Sequence, residues 1–192
     1  PANWGTIALD YATDVNEVAA TAIPSATAIT QTTPAVSNQA LTVATSTTTG
    51  RKSTVKLVFE TAIMMPAVTT SKVKITLPGF YLFGSDAPSV EGCGTGTPVF
   101  TTAVAGSGEG DAAITFALTA AHDIEPDTAC TITTSAATVV NPQAPLPANW
   151  GTIALDYATD VNEVAATAIP SATAITQTTP AVSNQALTVA TS

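Results

Sequence analysis

Residues 53–60 read STVKLVFE and residues 71–80 read SKVKITLPGF, and these two stretches decide the fold. In the first, Val55, Leu57 and Phe59 alternate with Lys56, Val58 and Glu60; in the second, Val73, Ile75 and Leu77 alternate with Lys72, Lys74 and Thr76. An apolar residue at every second position turns one face of an extended chain inward and leaves the other in water, as in a half-buried β-strand. Pro78-Gly79 then turns the chain, and the aromatic patch Phe80, Tyr81, Leu82 and Phe83 is expected to pack on the core.

The same pattern continues in both directions. Residues 98–104 can form a strand, Gly106-Ser-Gly-Glu-Gly110 reads as a hairpin loop, and Ile114, Phe116 and Leu118 alternate again. Residues 122–127 are a polar connection, Thr131-Ile132-Thr133 begins another strand, and residues 141–147 carry three prolines and form a loop. Residues 150–157 supply a further strand with Ile153 and Leu155 on one face. Only residues 156–168 (DYATDVNEVAATA), with their twin at 10–22, compete for a short helical turn, which Ile169-Pro170 would end. About seven to nine short strands broken by Gly and Pro predict an all-β, immunoglobulin-like β-sandwich.

Residues 1–46 and 147–192 are the same 46 letters, offset by 146. Surface loops drift fastest, so letter-for-letter identity points to recent duplication. A period of 146 is too long for a solenoid unit of roughly 20–50 residues and matches a whole domain. The expectation is a tandem array, with the parent chain continuing on both sides. The stretch from Ile23-Pro24 to Pro34, and its copy from Ile169-Pro170 to Pro180, is polar and Pro-punctuated and reads as the linker. In that frame residues 1–24 close a preceding repeat, 25–170 form one complete repeat, and 171–192 open the next. The strand containing Leu41 and Val43, repeated as Leu187 and Val189, has a second reading: it crosses the seam and completes its neighbour's sheet, satisfying an unpaired edge.

The stretch TSTTTGRKSTVKLVFETAIMMP (45–66) with SKVKITLPGF resembles the start of an immunoglobulin-like module of very large repetitive surface proteins of bacteria and algae. There a TYTFTFTTATAIP-type strand precedes a KITITFPxGF strand and turn, and the unit ends in a strand similar to WGTIALDYAT. The likeness covers residues 41–80 and the closing strand; the Cys93 loop stands outside it. It implies cell-surface fibres, adhesins or flagellar hairs, and it carries no catalytic residues.

Composition agrees with an extracellular, non-enzymatic role. Only 10% of residues are charged, against about 25% in typical domains, and Ala, Thr, Ser and Val dominate. The net charge is −9, with Arg51, Lys52, Lys56, Lys72 and Lys74 as the five cations; an acidic chain supplies little phosphate neutralisation, so nucleic acid is excluded as a partner. The cations read either as solvated outer faces of two strands or as a surface facing an acidic neighbouring repeat. No apolar run approaches the ~20 residues of a membrane span. Cys93 and Cys130 read as a disulfide, the alternative being two buried thiols.

Chemistry is sparse. His122 is the sole histidine, with Asp123 beside it, but no GxSxG elbow exists, and an exposed loop histidine is the simpler reading. Asp123, Glu125 and Asp127 alternate in a loop and are the best calcium candidate, set against solvated loop acids; no other cofactor is expected. The Gly-rich loops at 92–97 and 106–110 lack the lysine and setting of a phosphate loop. No Asn-x-Ser/Thr sequon occurs, while Thr/Ser-rich runs at 27–34 and 44–50 could take O-linked sugar, which would make this a glycoprotein. The leading expectation is therefore a structural subunit of an extracellular filament or stalk, partnered head to tail, and laterally, by copies of the same repeat. The alternative is a repetitive adhesin module binding glycan, ice or mineral.

Overall fold

The alternation at 53–60 becomes the longest strand among the described residues. β4 (Lys52–Thr61) buries every second residue, with Val55, Leu57 and Phe59 no more than 1% exposed. In a computed structural model the described residues are 6–9, 18–22, 33–84, 86–108, 110–119, 121–135, 139–157 and 163–177. The chain divides into two units, Pro1–Thr32 and Thr33–Ser192.

The second unit is a sandwich of two sheets. One runs in the order β14 (Ser171–Ala172), β3 (Val36–Ala44), β4, β10 (Cys130–Thr133), β7 (Ser89–Gly92), with β11 (Val139–Val140) joining β4 to β6 (Tyr81–Leu82). The other runs β13 (Glu163–Ala168), β12 (Thr152–Asp156), β5 (Lys72–Thr76), β9 (Ala113–Thr119), β8 (Val99–Ala105). Pairing is antiparallel throughout except between β14 and β3. Inward residues of both sheets form one core, including Leu57, Phe59, Ile75, Phe80, Phe116, Ile132 and Ile153. Phe100 and Phe116 meet edge-on with centroids 6.3 Å apart, a favoured aromatic geometry.

The first unit holds a hairpin of β1 (Thr6–Leu9) and β2 (Val18–Ala22). It is the twin of β12–β13 in register as well as sequence. Thr6 faces Ala22 and Ile7 faces Thr21, as Thr152 faces Ala168 and Ile153 faces Thr167, and both hairpins carry an irregularity at the same step.

Several expectations change. Of the aromatic patch, Phe80 and Leu82 are buried, but Phe83 is 54% exposed, because β6 ends at Leu82 and the chain turns outward at Gly84. The segment that competed for helix is strand over Glu163–Ala168, where pairing with β12 takes its backbone groups; residues 158–162 lie outside those described. Residues 169–176, read as the start of a linker and of a following repeat, belong to this sandwich: β14 pairs with β3, and Ile175 bridges Leu146. Their two isoleucines are fully buried, so a polar composition here conceals an apolar anchor at each end. The division between the two units falls at Thr32/Thr33. β3 pairs with β4 over seven registered positions on one edge and with β14 on the other, both inside its own unit.

Candidate functional site

A dense set of hydrogen bonds joins β3 to residues 169–176. Chain direction matters here. β3 starts at Val36, tied to β4 at Thr61, and its side of the turn reaches Thr48. Residues 169–176 run beside it in the same direction, Ser171 opposite Ala40 and Thr176 opposite Thr48. Along the seam Thr173 N donates to Leu41 O at 2.9 Å, Thr176 N to Thr47 O at 2.9 Å, and Thr49 N to Thr176 O at 3.0 Å. The Thr173 hydroxyl accepts from Val43 N at 3.2 Å.

The other side of the segment is held as firmly. Ala172 N donates to Ala148 O at 2.9 Å, and Leu146 and Ile175 exchange two backbone bonds of 3.0 Å. The Trp150 indole packs on Phe80 with centroids 4.9 Å apart, and its Nε1–H reaches Thr173 O at 2.8 Å. Gly151 makes this approach possible: at φ 87° a Cβ there would lie 3.0 Å from Leu41 and 3.1 Å from Thr76 O. Asn141, fully buried, clamps the exit end by donating from Nδ2 to Ser46 O and Thr48 O, both at 2.8 Å. Of the seam residues named from sequence, Leu41, Val43 and Ile169 are buried in this joint, while Pro34 is half-buried and Pro170 exposed. Ile23, Pro24, Pro180, Leu187 and Val189 lie outside the described residues. Sequence reading missed Ile175, Thr173 and Asn141. The lone Ile in a polar stretch was the available signal for the first.

Cys93 and Cys130 are bonded, with Cα atoms 4.1 Å apart. β7 brings them together, since Cys130 stands opposite Gly92. Gly92, Cys93 and Gly94 all take positive φ, and a Cβ on Gly92 would lie 2.4 Å from Ala129 O. Closing a 37-residue separation stabilises by about 3–4 kcal/mol in the chain-entropy account.

The three candidate calcium ligands take separate roles. The Asp123 carboxylate accepts from Ala67 N at 2.7 Å, and Glu125 accepts from the Thr95 amide at 3.0 Å and from the Thr95 hydroxyl. Asp127 sits at φ 51° in a turn whose amide donates to Thr61 O. Ile124 between them points into the core and bridges Met65, which forces its acidic neighbours outward to different partners. Among the described residues no three His, Cys, Asp or Glu side chains gather as a metal site would require. The Thr95 hydroxyl, and then its amide, hold the Glu125 carboxyl below its ordinary range. His122 is exposed, its ring against Gly96.

On the outer face of the second sheet a shallow groove of about 350 Å³ is lined by Lys72, Lys74, Asp156 and Glu163, among others. Cross-strand register puts Lys72 opposite Asp156, and Asp156 opposite Glu163, so Lys72 has an acidic neighbour on its own sheet, while Lys74 faces Ala154 and Thr115. Inside, the Tyr157 hydroxyl lies near Thr61 Oγ1 without meeting hydrogen-bond geometry, and burial pushes its phenol up to about 12. Among the described residues no helix is long and apolar enough to cross a membrane. Compared with protein-family models, curated proteins and solved structures, the chain matches none.

Proposed function

We propose that this chain is a segment of an extracellular filament or stalk built from head-to-tail sandwiches of the immunoglobulin-like kind, each repeat 146 residues long. The observation that carries the reading is the parallel pairing of β14 with β3. Among the described residues, β3 is the first strand of the sandwich, starting at Val36, and Thr176, beside Thr48 and beyond the far end of β3, makes the last pairing. The nine residues of β3 span roughly 26 Å from first to last Cα at a rise of about 3.3 Å. Entry and exit at opposite poles make successive repeats extend along a line. Had the last strand been antiparallel to β3, the chain would leave where it entered and successive repeats would fold back.

Two further features support this. Between the twin of Thr176, which is Thr30, and the start of β3 stand only Gln31, Thr32, Thr33, Pro34 and Ala35. A connection that short suits closely spaced repeats better than a long flexible linker would. The disulfide and the Ala/Thr-rich, charge-poor composition suit an oxidising exterior.

Scattering from chains of two, three and four repeats tests the reading. The maximum dimension is expected to grow by roughly 40 Å per repeat, the size of one such domain. Growth well short of that, with the radius of gyration following a compact-globule law, would rule out the stalk.

A further inference from the structure

We propose that the β3 seam is a tension-bearing clamp, the element that sets how long a repeat survives under pulling force. This rests on the stalk reading in one respect: only in a linear array does load enter at Val36 and leave at Thr176.

The argument is mechanical. Two parallel neighbours pulled from opposite ends are loaded in shear, so their cross-bonds share the force and must fail together. The same bonds pulled from one end peel singly. The seam has the first arrangement. Load arriving on β3 at Val36 and leaving residues 169–176 at Thr176 slides one past the other. Sliding opposes the Thr173–Leu41, Thr176–Thr47 and Thr49–Thr176 backbone bonds at once, together with the Val43–Thr173 hydroxyl bond. It also drags Ile169 and Ile175, 0% and 1% exposed, out of the core. On the far side of the segment, the Trp150 indole bond and the paired Leu146–Ile175 bonds hold it against the proline-rich loop. The entry end is secured separately, because Ala62 N donates to Ala35 O and Asn38 Nδ2 to Glu60 at 2.7 Å.

Paired substitutions of identical chemistry isolate the seam. Thr173 and Thr134 each use a hydroxyl to accept one strand amide, from Val43 and Val55 respectively. Only the first bond lies in the seam. The 192-residue chain is held by handles at its two termini, and the lifetime of its sandwich is read at constant force. Thr173→Val is expected to shorten that lifetime about fivefold, the factor to which one lost bond of about 1 kcal/mol converts. Thr134→Val is expected to leave it unchanged while lowering equilibrium stability, because that bond breaks after the barrier. Equal shortening by both variants overturns the clamp.

A second geometry needs no seam mutation. With one handle moved to exposed Thr47 through Thr47→Cys, and the other kept at the C-terminus, the seam peels. The lifetime should then fall about tenfold or more, since bonds of about 1 kcal/mol each fail in turn. Equal lifetimes in the two directions would also overturn the proposal. The clamp is read on one chain and the stalk from the scattering series, so either can fail alone.

Discussion

A single buried hydroxyl illustrates how much one residue can report. Tyr157 is 3% exposed, and its OH has no hydrogen-bond partner. Below about pH 10 the phenol is neutral whether the chain is folded or not. Above that the unfolded chain ionises first, while burial holds the folded group's proton to about 12. This contribution to stability is therefore complete below about pH 10 and is lost as pH rises towards 12. Tyr157→Phe should flatten the fall in unfolding free energy across that window, measured by denaturant titration at each pH. At pH 7 its effect should stay within about 1 kcal/mol, because the hydroxyl that is removed has no hydrogen-bond partner to lose. An unchanged alkaline slope would mean that the phenol is wet.

At the scale of elements, residues 169–176 show composition and structure pointing in opposite directions. Their sequence, IPSATAIT, has the polarity and proline of a linker. Yet Ile169, Ala172 and Ile175 are buried, and the backbone between them bonds to both neighbours. Ile175→Ala should cost about 2–5 kcal/mol, the range for truncating a buried isoleucine, read as a shift in denaturant midpoint at constant slope. A cost under about 0.5 kcal/mol, normal for surface positions, would restore the linker reading. The disulfide loop makes the converse point. Cys93 and Cys130 were paired from their count and context alone, and β7 and β10 bring them together. The acids at 123, 125 and 127 share a loop in sequence, but the Asp123 and Glu125 carboxylates bond to Ala67 and Thr95, and no metal-type cluster forms among the described residues.

For the molecule as a whole, the last segments complete both sheets. β12 and β13 cover β5, and residues 169–176 cover β3. A chain spanning residues 33–145 would lack them and present two open strand edges, a template for aggregation. It should be aggregated or unfolded, and a peptide of residues 147–176 added in trans should return it to a soluble β-structure by circular dichroism. A stable, monomeric fold without the peptide would show that the closing segments are ornamental. Residues 1–30 carry the same letters as that peptide, so each such segment is a fitting closure for any equivalent β5 and β3.

What the sequence determined by itself was local: strand periodicity, turn positions, the repeat and the cysteine pair. The twin hairpins are the clearest demonstration. The same letters give the same register and irregularity at β1–β2 and at β12–β13, one in each unit, because alternation and turn residues act within about twenty positions. Only the tertiary structure decided that residues 169–176 belong to the sandwich and which strand they pair with. The pairing of Ser171 with Ala40 joins residues 131 positions apart, and no local preference encodes which edge a short polar segment will cover. That choice is made by the burial of two isoleucines and by edge amides of β3 that need acceptors.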